Sequence, residues 1–260
     1  MIAYVRMPET RTWDGQSYDR ISAPMEAFGR AVLERLPLRG DETVLDAGCG
    51  SGRITEALIE RLPRGRVIAV DASQSMVDAA HERLPGADVR QVDLLELDLE
   101  SLGLLEPLDA ILSTATFHWI LDHQALFERL RGVLRRGGRL VAQCGGRGNI
   151  DVLRGRALEV AAREPYAAAF ADFQPPWNYA GPDETRQRLL DAGFTEAECW
   201  LAPAPKEPEQ PREFLSTIVL GPHYQHLPVD LREPFMDEVL AALGEPVVVD
   251  YVRLNIDATA

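Results

Sequence analysis

The sequence predicts an α/β fold built on a doubly wound, mostly parallel sheet. Three observations carry this. Short β-branched runs alternate with stretches of helical period over residues 22–146, the pattern of a parallel sheet with helices on both faces. A glycine-rich turn, Gly48-Cys49-Gly50-Ser51-Gly52, joins the first such run to a helical stretch. Three acidic residues, Asp46, Asp71 and Asp93, stand at the ends of three successive runs.

The elements follow in order. Residues 22–36 have helical spacing. A strand over 43–47 enters the glycine turn, and Ile54, Ala57, Leu58 and Leu62 give the next helix its apolar face. Strands are predicted over 66–70, 87–92, 108–113 and 139–144. A helix over 122–135 is predicted to stop at Gly137 and Gly138. After Gly145-Gly146 the character changes. A helix over 151–163 precedes an aromatic, proline-broken stretch with Phe170, Phe173, Pro175, Pro176, Trp177 and Tyr179. A helix over 183–192 leads into a strand running from 194 to 201. The proline-rich segment 203–211 reads as an exposed loop. Helical pieces over 212–220 and 229–243 and a last strand over 247–256 complete the chain.

Composition narrows the function. A chain of 260 residues accommodates one large domain, or one domain with a cap. No apolar stretch reaches the length of a membrane span. Residues Arg6, Glu9, Arg11 and Asp14 leave no secretory apolar core near the N-terminus. Cys49, Cys144 and Cys199 are scattered and suggest neither a disulfide framework nor a zinc site, so a cytoplasmic protein is predicted. The formal net charge of −14 repels phosphate backbones and anionic membranes. The predicted partner is a small molecule, with no nucleic acid, membrane or metal.

The glycine turn is a nucleotide cradle by its chemistry. Glycines let the backbone approach a ligand closely, and the helix behind offers free N–H groups. A dinucleotide fingerprint, G-x-G-x-x-G, would need glycine at the position of Arg53. The absence of a Tyr-x-x-x-Lys pair also disfavours a nicotinamide dehydrogenase. The actual run, Val44-Leu45-Asp46-Ala47-Gly48-Cys49-Gly50-Ser51-Gly52, resembles the first motif of the class I S-adenosylmethionine-dependent methyltransferases.

That resemblance implies S-adenosylmethionine as cofactor and a Rossmann-like sheet of seven strands, the last two closing it as an antiparallel pair, with a helical cap. Residues 1–260 would form one methyltransferase domain: 1–40 covering the cofactor, 41–146 binding it, 147–260 supplying cap insertions and the last two strands. Asp46, Gly48, Cys49 and Gly50 would form the cradle, with Cys49 a small space-filler. An acid at the end of the second strand suits the ribose hydroxyls, which falls on Asp71, with Ala72 and Met76 beside it. Asp93 would accept from the adenine amino group, next to Leu94, and Ser113 closes the fourth strand near the cofactor.

The segment Phe117-His118-Trp119, followed by Leu121-Asp122-His123, resembles the trans-aconitate methyltransferase group and the wider carboxyl methyltransferases. Aromatic burial alone would put Phe117 and Trp119 in the core and His118 on the surface. The resemblance instead makes Trp119 the donor to a substrate carboxylate. Trp13-Asp14-x-x-x-Tyr18 is similar to the same group's cofactor-covering helix, so Tyr18 would touch cofactor, and Gln16 would be a second carboxylate donor. Trp177, Tyr179, Phe214 and Tyr224 are candidates for a water-excluding cap, the first two and Tyr224 against substrate. His118 suits a general base if the acceptor is a hydroxyl or amine. His223 and His226 lack a third ligand for a metal. Methylation of a carboxylic acid leads. A hydroxyl, amine or carbon acceptor and a non-catalytic S-adenosylmethionine-binding module remain alternatives.

Overall fold

The computed structural model describes residues 23–260. Helix α1 (Ala23–Arg35) precedes β1 (Thr43–Ala47), α2 (Arg53–Arg61), β2 (Arg66–Asp71), α3 (Gln74–Arg83) and β3 (Asp88–Gln91). Then come β4 (Leu108–Thr114), α4 (His123–Val133) and β5 (Leu134–Gly145). The seven strands lie in the order β3-β2-β1-β4-β5-β7-β6, with β6 at Glu196–Pro203 and β7 at Val252–Thr259. β1 to β5 run parallel; β7 is antiparallel to both β5 and β6.

Alternate side chains of each central strand go to opposite faces, and both faces are covered. Val44, Ala110 and Leu112 pack with Val32, Leu33, Ile54 and Leu58 under α1 and α2. Leu45, Ile68 and Ile111 pack with Leu126, Phe127 and Leu130 under α4. The Arg35 guanidinium ties α1 to the sheet, donating to Asn255 Oδ1 at 2.6 Å and to the Ala142 carbonyl at 2.9 Å.

The cap is built from α5 (Asp151–Ala161), α6 (Ala167–Phe170), α8 (Pro211–Phe214), the π-turn Leu215–Val219, and α9 (Gly221–His226). α7 (Pro182–Asp191) packs under the sheet, contributing Leu189, and α10 (Val229–Leu243) completes the cap. The cap has its own apolar cluster, including Leu153, Phe214, Phe235 and Met236. Among the described residues no helix is long and apolar enough to cross a membrane.

Three boundaries differ from the sequence expectation. α4 ends at Val133 because Leu134 already pairs with Leu108, and the Gly137-Gly138 pair sits in a bulge of β5 rather than at a helix stop. The last strand begins at Val252 instead of 247. Val247, Val249 and Tyr251 alternate as a strand should, but they are buried in the cap cluster, and Asp250 accepts from the N–H groups of Val152 and Leu153. The expected loop 203–211 is partly paired, through a bridge between Lys206 and Val249.

Candidate cofactor cradle and substrate site

The chain leaves β1 for β2 on one side and reaches β4 on the other. The carboxyl ends of β1 and β4 therefore flank the switch point where open α/β sheets bind ligands. The N–H groups of Gly48 and Cys49 both donate to the Val70 carbonyl, at 2.8 and 2.9 Å, which pins the turn to the end of β2. Gly48 has φ +82°, and a Cβ there would run into the Thr116 side chain. Gly50 has φ +53° with none of the described residues within 4 Å of a Cβ position. Among the described residues the turn is thus packed on one side and open on the other.

Asp46 stands near the end of β1, just before the turn, and is 1% exposed. Its Oδ2 accepts from the Thr55 hydroxyl at 2.7 Å, while Oδ1 is buried without a partner. Burial pushes its pKa up to about 6; the Thr55 bond opposes this and the Asp71 charge adds to it. An unmet carboxylate oxygen beside an open backbone loop fits the ammonium group of S-adenosylmethionine. Asp71 accepts from Gly50 N–H at 3.0 Å and Ser73 N–H at 2.9 Å, one on each oxygen. Each oxygen keeps a lone pair, which fits two ribose hydroxyls. Burial holds its pKa above the usual value, opposed by those two bonds.

The other residues expected at the cradle are placed as follows. Ala72 is exposed, while Met76 and Leu94 are buried. Asp93 accepts from Leu95 N–H at 2.9 Å and caps a short 3-10 turn, Leu94–Glu96. The buried Ser113 hydroxyl donates to the Ala47 carbonyl at 2.6 Å and fastens β4 to β1. Burial raises the Cys49 thiol well above its ordinary pKa, which disfavours the thiolate. Trp13, Gln16 and Tyr18 lie outside the described residues.

On the substrate side, β4 is followed by Ala115, a non-glycine residue at φ +57°. Such strain at a strand end is characteristic of functional turns. The 3-10 turn Phe117–Trp119 follows. Phe117 is core, edge-on to Phe127 at 6.1 Å. His118 is 7% exposed, not a surface residue, and Trp119 is half-buried. Four aromatic side chains close a ring. His118 meets Trp119 at 4.9 Å, Trp119 meets Trp177 at 6.2 Å, Trp177 meets Tyr179 at 5.7 Å, and Tyr179 returns to His118 at 5.8 Å. Asn178 holds the far half in place: its N–H donates to the His118 carbonyl at 2.8 Å and its amide to the Leu121 carbonyl at 2.9 Å.

The backbone N–H of Gly145 donates to His118 Nδ1 at 3.3 Å. A neutral imidazole then carries its proton on Nε2, which makes that nitrogen a donor. Burial pushes the Tyr179 hydroxyl up to about 12, opposed by Asn149 and the nearby Arg253 and Arg154 charges.

Tyr224 is not in this ring. Its hydroxyl donates to Glu233, and it lines a surface depression with Arg212 and Ser216. The neighbouring His223 points inward instead: it is 1% exposed and touches Phe170, Phe173 and Trp177. Sequence reasoning considered His223 only as a metal ligand. Its burial depends on the phase of a six-residue helix, and no local signal reveals that. Among the described residues no group of three or more His, Cys, Asp and Glu side chains is placed to hold a metal ion.

A family model described as a methyltransferase domain matches residues 44–138. The trans-aconitate 2-methyltransferase of Azoarcus sp. (strain BH72) is 38% identical over 132 residues; the match covers 51% of this chain and only half, 50%, of that relative's length. The trans-aconitate 2-methyltransferase of Methylobacterium nodulans is 31% identical over 192 residues, covering 74% of this chain and 68% of the relative. Among solved structures, Haemonchus contortus phosphoethanolamine N-methyltransferase 2 with S-adenosylhomocysteine has a TM-score of 0.60 at 18% identity, covering 95% of this chain and 56% of that one. The YcgJ protein of Bacillus subtilis has a TM-score of 0.60 at 14% identity, covering 90% and 97%. At these identities the structural likeness shows the fold, and the sequence likeness shows the family. The chain belongs to the class I S-adenosylmethionine-dependent methyltransferases, within the trans-aconitate methyltransferase group, and S-adenosylmethionine is its cofactor.

Proposed function

We propose that this chain methylates a carboxylate oxygen of a small organic acid. The observation that carries the reading is the hydrogen bond from Gly145 N–H to His118 Nδ1. It occupies the Nδ1 lone pair, so the neutral ring bears its proton on Nε2 and that nitrogen cannot act as a base. Trp119 beside it carries an indole N–H, which donates and never accepts. Two adjacent donors suit an anion. The names of the relatives, trans-aconitate 2-methyltransferases, support an acid as acceptor.

Bound S-adenosylmethionine supplies an electrophilic methyl group on a sulfonium. The chain's own residues position and dry the acceptor. A carboxylate is ionised at neutral pH and needs no proton removed. In this reading Trp119 and His118 aim one carboxylate oxygen, and such positioning is worth roughly 7–11 kcal/mol in the best cases. Trp177 and Tyr179 exclude water from the reacting charges. Asp46, Gly48, Cys49, Gly50, Asp71, Ala72, Met76, Asp93 and Leu94 hold the cofactor, with Ser113 keeping β4 in place. Tyr18 and Gln16 are assigned to cofactor and substrate on the resemblance alone.

Trp119→Phe keeps the ring and removes the donor. Loss of one charge-assisted hydrogen bond is expected to cost roughly 1.5–3 kcal/mol, read in kcat/KM for acid substrates. S-adenosylhomocysteine affinity stays the same. The rate is expected to be flat above about pH 6, because a carboxylate with an ordinary pKa is ionised there. A rate that rises through the histidine range and collapses in His118→Ala would instead identify a hydroxyl or amine acceptor.

A further inference from the structure

The turn that carries His118 and Trp119 is held at both ends. Ahead of it, the Thr116 hydroxyl is 3.1 Å from the Gly48 carbonyl and 3.0 Å from that of Thr114, so its one proton joins the glycine turn to the end of β4. Behind it, His123, the first residue of α4, reaches back: its Nε2 lies 3.0 Å from the Phe117 carbonyl. A carbonyl only accepts, so Nε2 bears the proton and donates. The same carbonyl accepts from Ile120 N–H at 3.0 Å, which fills its second lone pair.

Helix α4 aims this side chain. Asp122 caps the helix by accepting from Ala125 N–H at 3.0 Å, and the phase so set buries His123 together with Leu126 and Phe127. His123 is 2% exposed, and its ring stands 5.8 Å from that of Phe127, which Phe117 meets edge-on. Nδ1 is buried and no described residue meets it. An unmet nitrogen in an apolar cluster costs stability that leucine would not. Packing alone therefore does not account for a histidine here, whereas the bond to Phe117 does. Burial holds the His123 pKa below its ordinary value. The Arg188 charge adds to this, while the Phe117 bond and the Glu184 and Asp122 charges oppose it. The ring is neutral near pH 7, and it faces a backbone carbonyl rather than a reacting group.

Ala115, at φ +57°, needs such holds. A strained residue persists only where its surroundings over-determine it. With the Phe117 carbonyl released, the turn can relax, and His118 and Trp119 move with it. In-line methyl transfer tolerates little movement: a misplacement of about 1 Å costs on the order of 100-fold.

We propose that His123 is a positioning residue: through the Phe117 carbonyl it locks the aromatic turn, and with it the Trp119 indole, in place beside the glycine turn. This rests on the carboxyl-methylation reading, in which Trp119 aims the acceptor.

His123→Leu removes the bond and keeps an apolar side chain; His123→Gln keeps an N–H near the place of Nε2. With S-adenosylhomocysteine saturating, 15N-edited NMR reads the Trp119 indole N–H, assigned through Trp119→Phe. In His123→Leu that signal is expected to shift or broaden, and kcat/KM for trans-aconitate to fall about tenfold or more. S-adenosylhomocysteine affinity stays the same. His123→Gln is expected to restore the signal and most of the rate. Should the leucine variant not fold, His123→Asn, whose shorter amide stops short of the carbonyl, takes its place. A Trp119 signal and a rate untouched by loss of the bond overturn the proposal. So do equal losses in the glutamine variant that follow melting temperature, since His123 is then a packing residue. An Nδ1–H tautomer of His123 in the wild-type protein, read from its ring 15N shifts, overturns it as well, because that ring cannot donate to Phe117. If the wild-type protein methylates no carboxylic acid, the carboxylate reading falls, while the indole signals of the variants still decide whether His123 locks the turn.

Discussion

Asp46 is held in a conflict that, on the proposed reading, a bound cofactor relieves. Its carboxyl is buried, one oxygen is unmet, and its pKa stands at about 6 against an ordinary 3.8. A raised carboxyl pKa gives stability that is fully present below about 3.8 and is lost as pH rises through about 6. At pH 7 the ligand-free protein therefore carries a buried, uncompensated charge, a cost on the order of 3 kcal/mol. A cofactor ammonium against that charge favours the ionised form. S-adenosylhomocysteine affinity is expected to weaken as pH falls below about 6, by up to about tenfold per unit. Calorimetry between pH 5 and pH 7 measures this. Asp46→Asn is expected to flatten the slope and weaken binding, yet to raise the unfolding midpoint of the ligand-free protein at pH 7. A mutant with the wild-type slope would assign the titration to another group. The place of Asp46 near a strand end before the glycines was legible in the sequence, and the role proposed for it rests on that place. The tautomer of His118 was not legible, since its partner, Gly145, lies 27 positions away at the end of β5.

The glycine turn separates fold from binding within three residues. Gly48 is closed in by Thr116, whereas no described residue comes within 4 Å of a Cβ at Gly50. Gly48→Ala is expected to lower the melting temperature and abolish binding together, because the turn must move. Gly50→Ala adds only the left-handed backbone cost, about 1–2 kcal/mol, and puts a methyl group where ligand would lie. It is expected to weaken S-adenosylhomocysteine binding more than tenfold on this packing argument, with a smaller change in melting temperature. Equal stability losses in the two variants would contradict this division. Elements of this kind were readable because strand, turn and helix follow one another in the chain. The cap was less so. Residues 247–251 have strand periodicity, but the cap takes them, and the last strand is displaced to Val252–Thr259. In α9, periodicity over six residues cannot decide whether His223 or Tyr224 faces inward, and the preceding π-turn resets the phase.

At the scale of the whole molecule, an acidic protein is proposed to take an acidic substrate. The net charge of −14 repels an anion at long range, while Trp119, His118 and the nearby Arg154 and Arg253 charges attract it at short range. Range decides which effect wins. At 0.01 M ionic strength the Debye length is about 30 Å, so a substrate feels nearly the whole surface; at 0.15 M it is about 8 Å, and only the site acts. Added salt should therefore help this enzyme, the reverse of ordinary electrostatic steering. From 0.01 to 0.15 M sodium chloride, kcat/KM for trans-aconitate is expected to rise at least about twofold. The monoanion crotonate, with less charge to repel, is expected to respond less. The comparison of the two acids isolates the substrate's charge from any effect of salt on the protein, because protein and cofactor are the same in both assays. A fall in kcat/KM with salt, steeper for trans-aconitate, would mean that the guanidinium groups beside Tyr179 dominate even at long range and that the acidic surface lies turned away from the entrance.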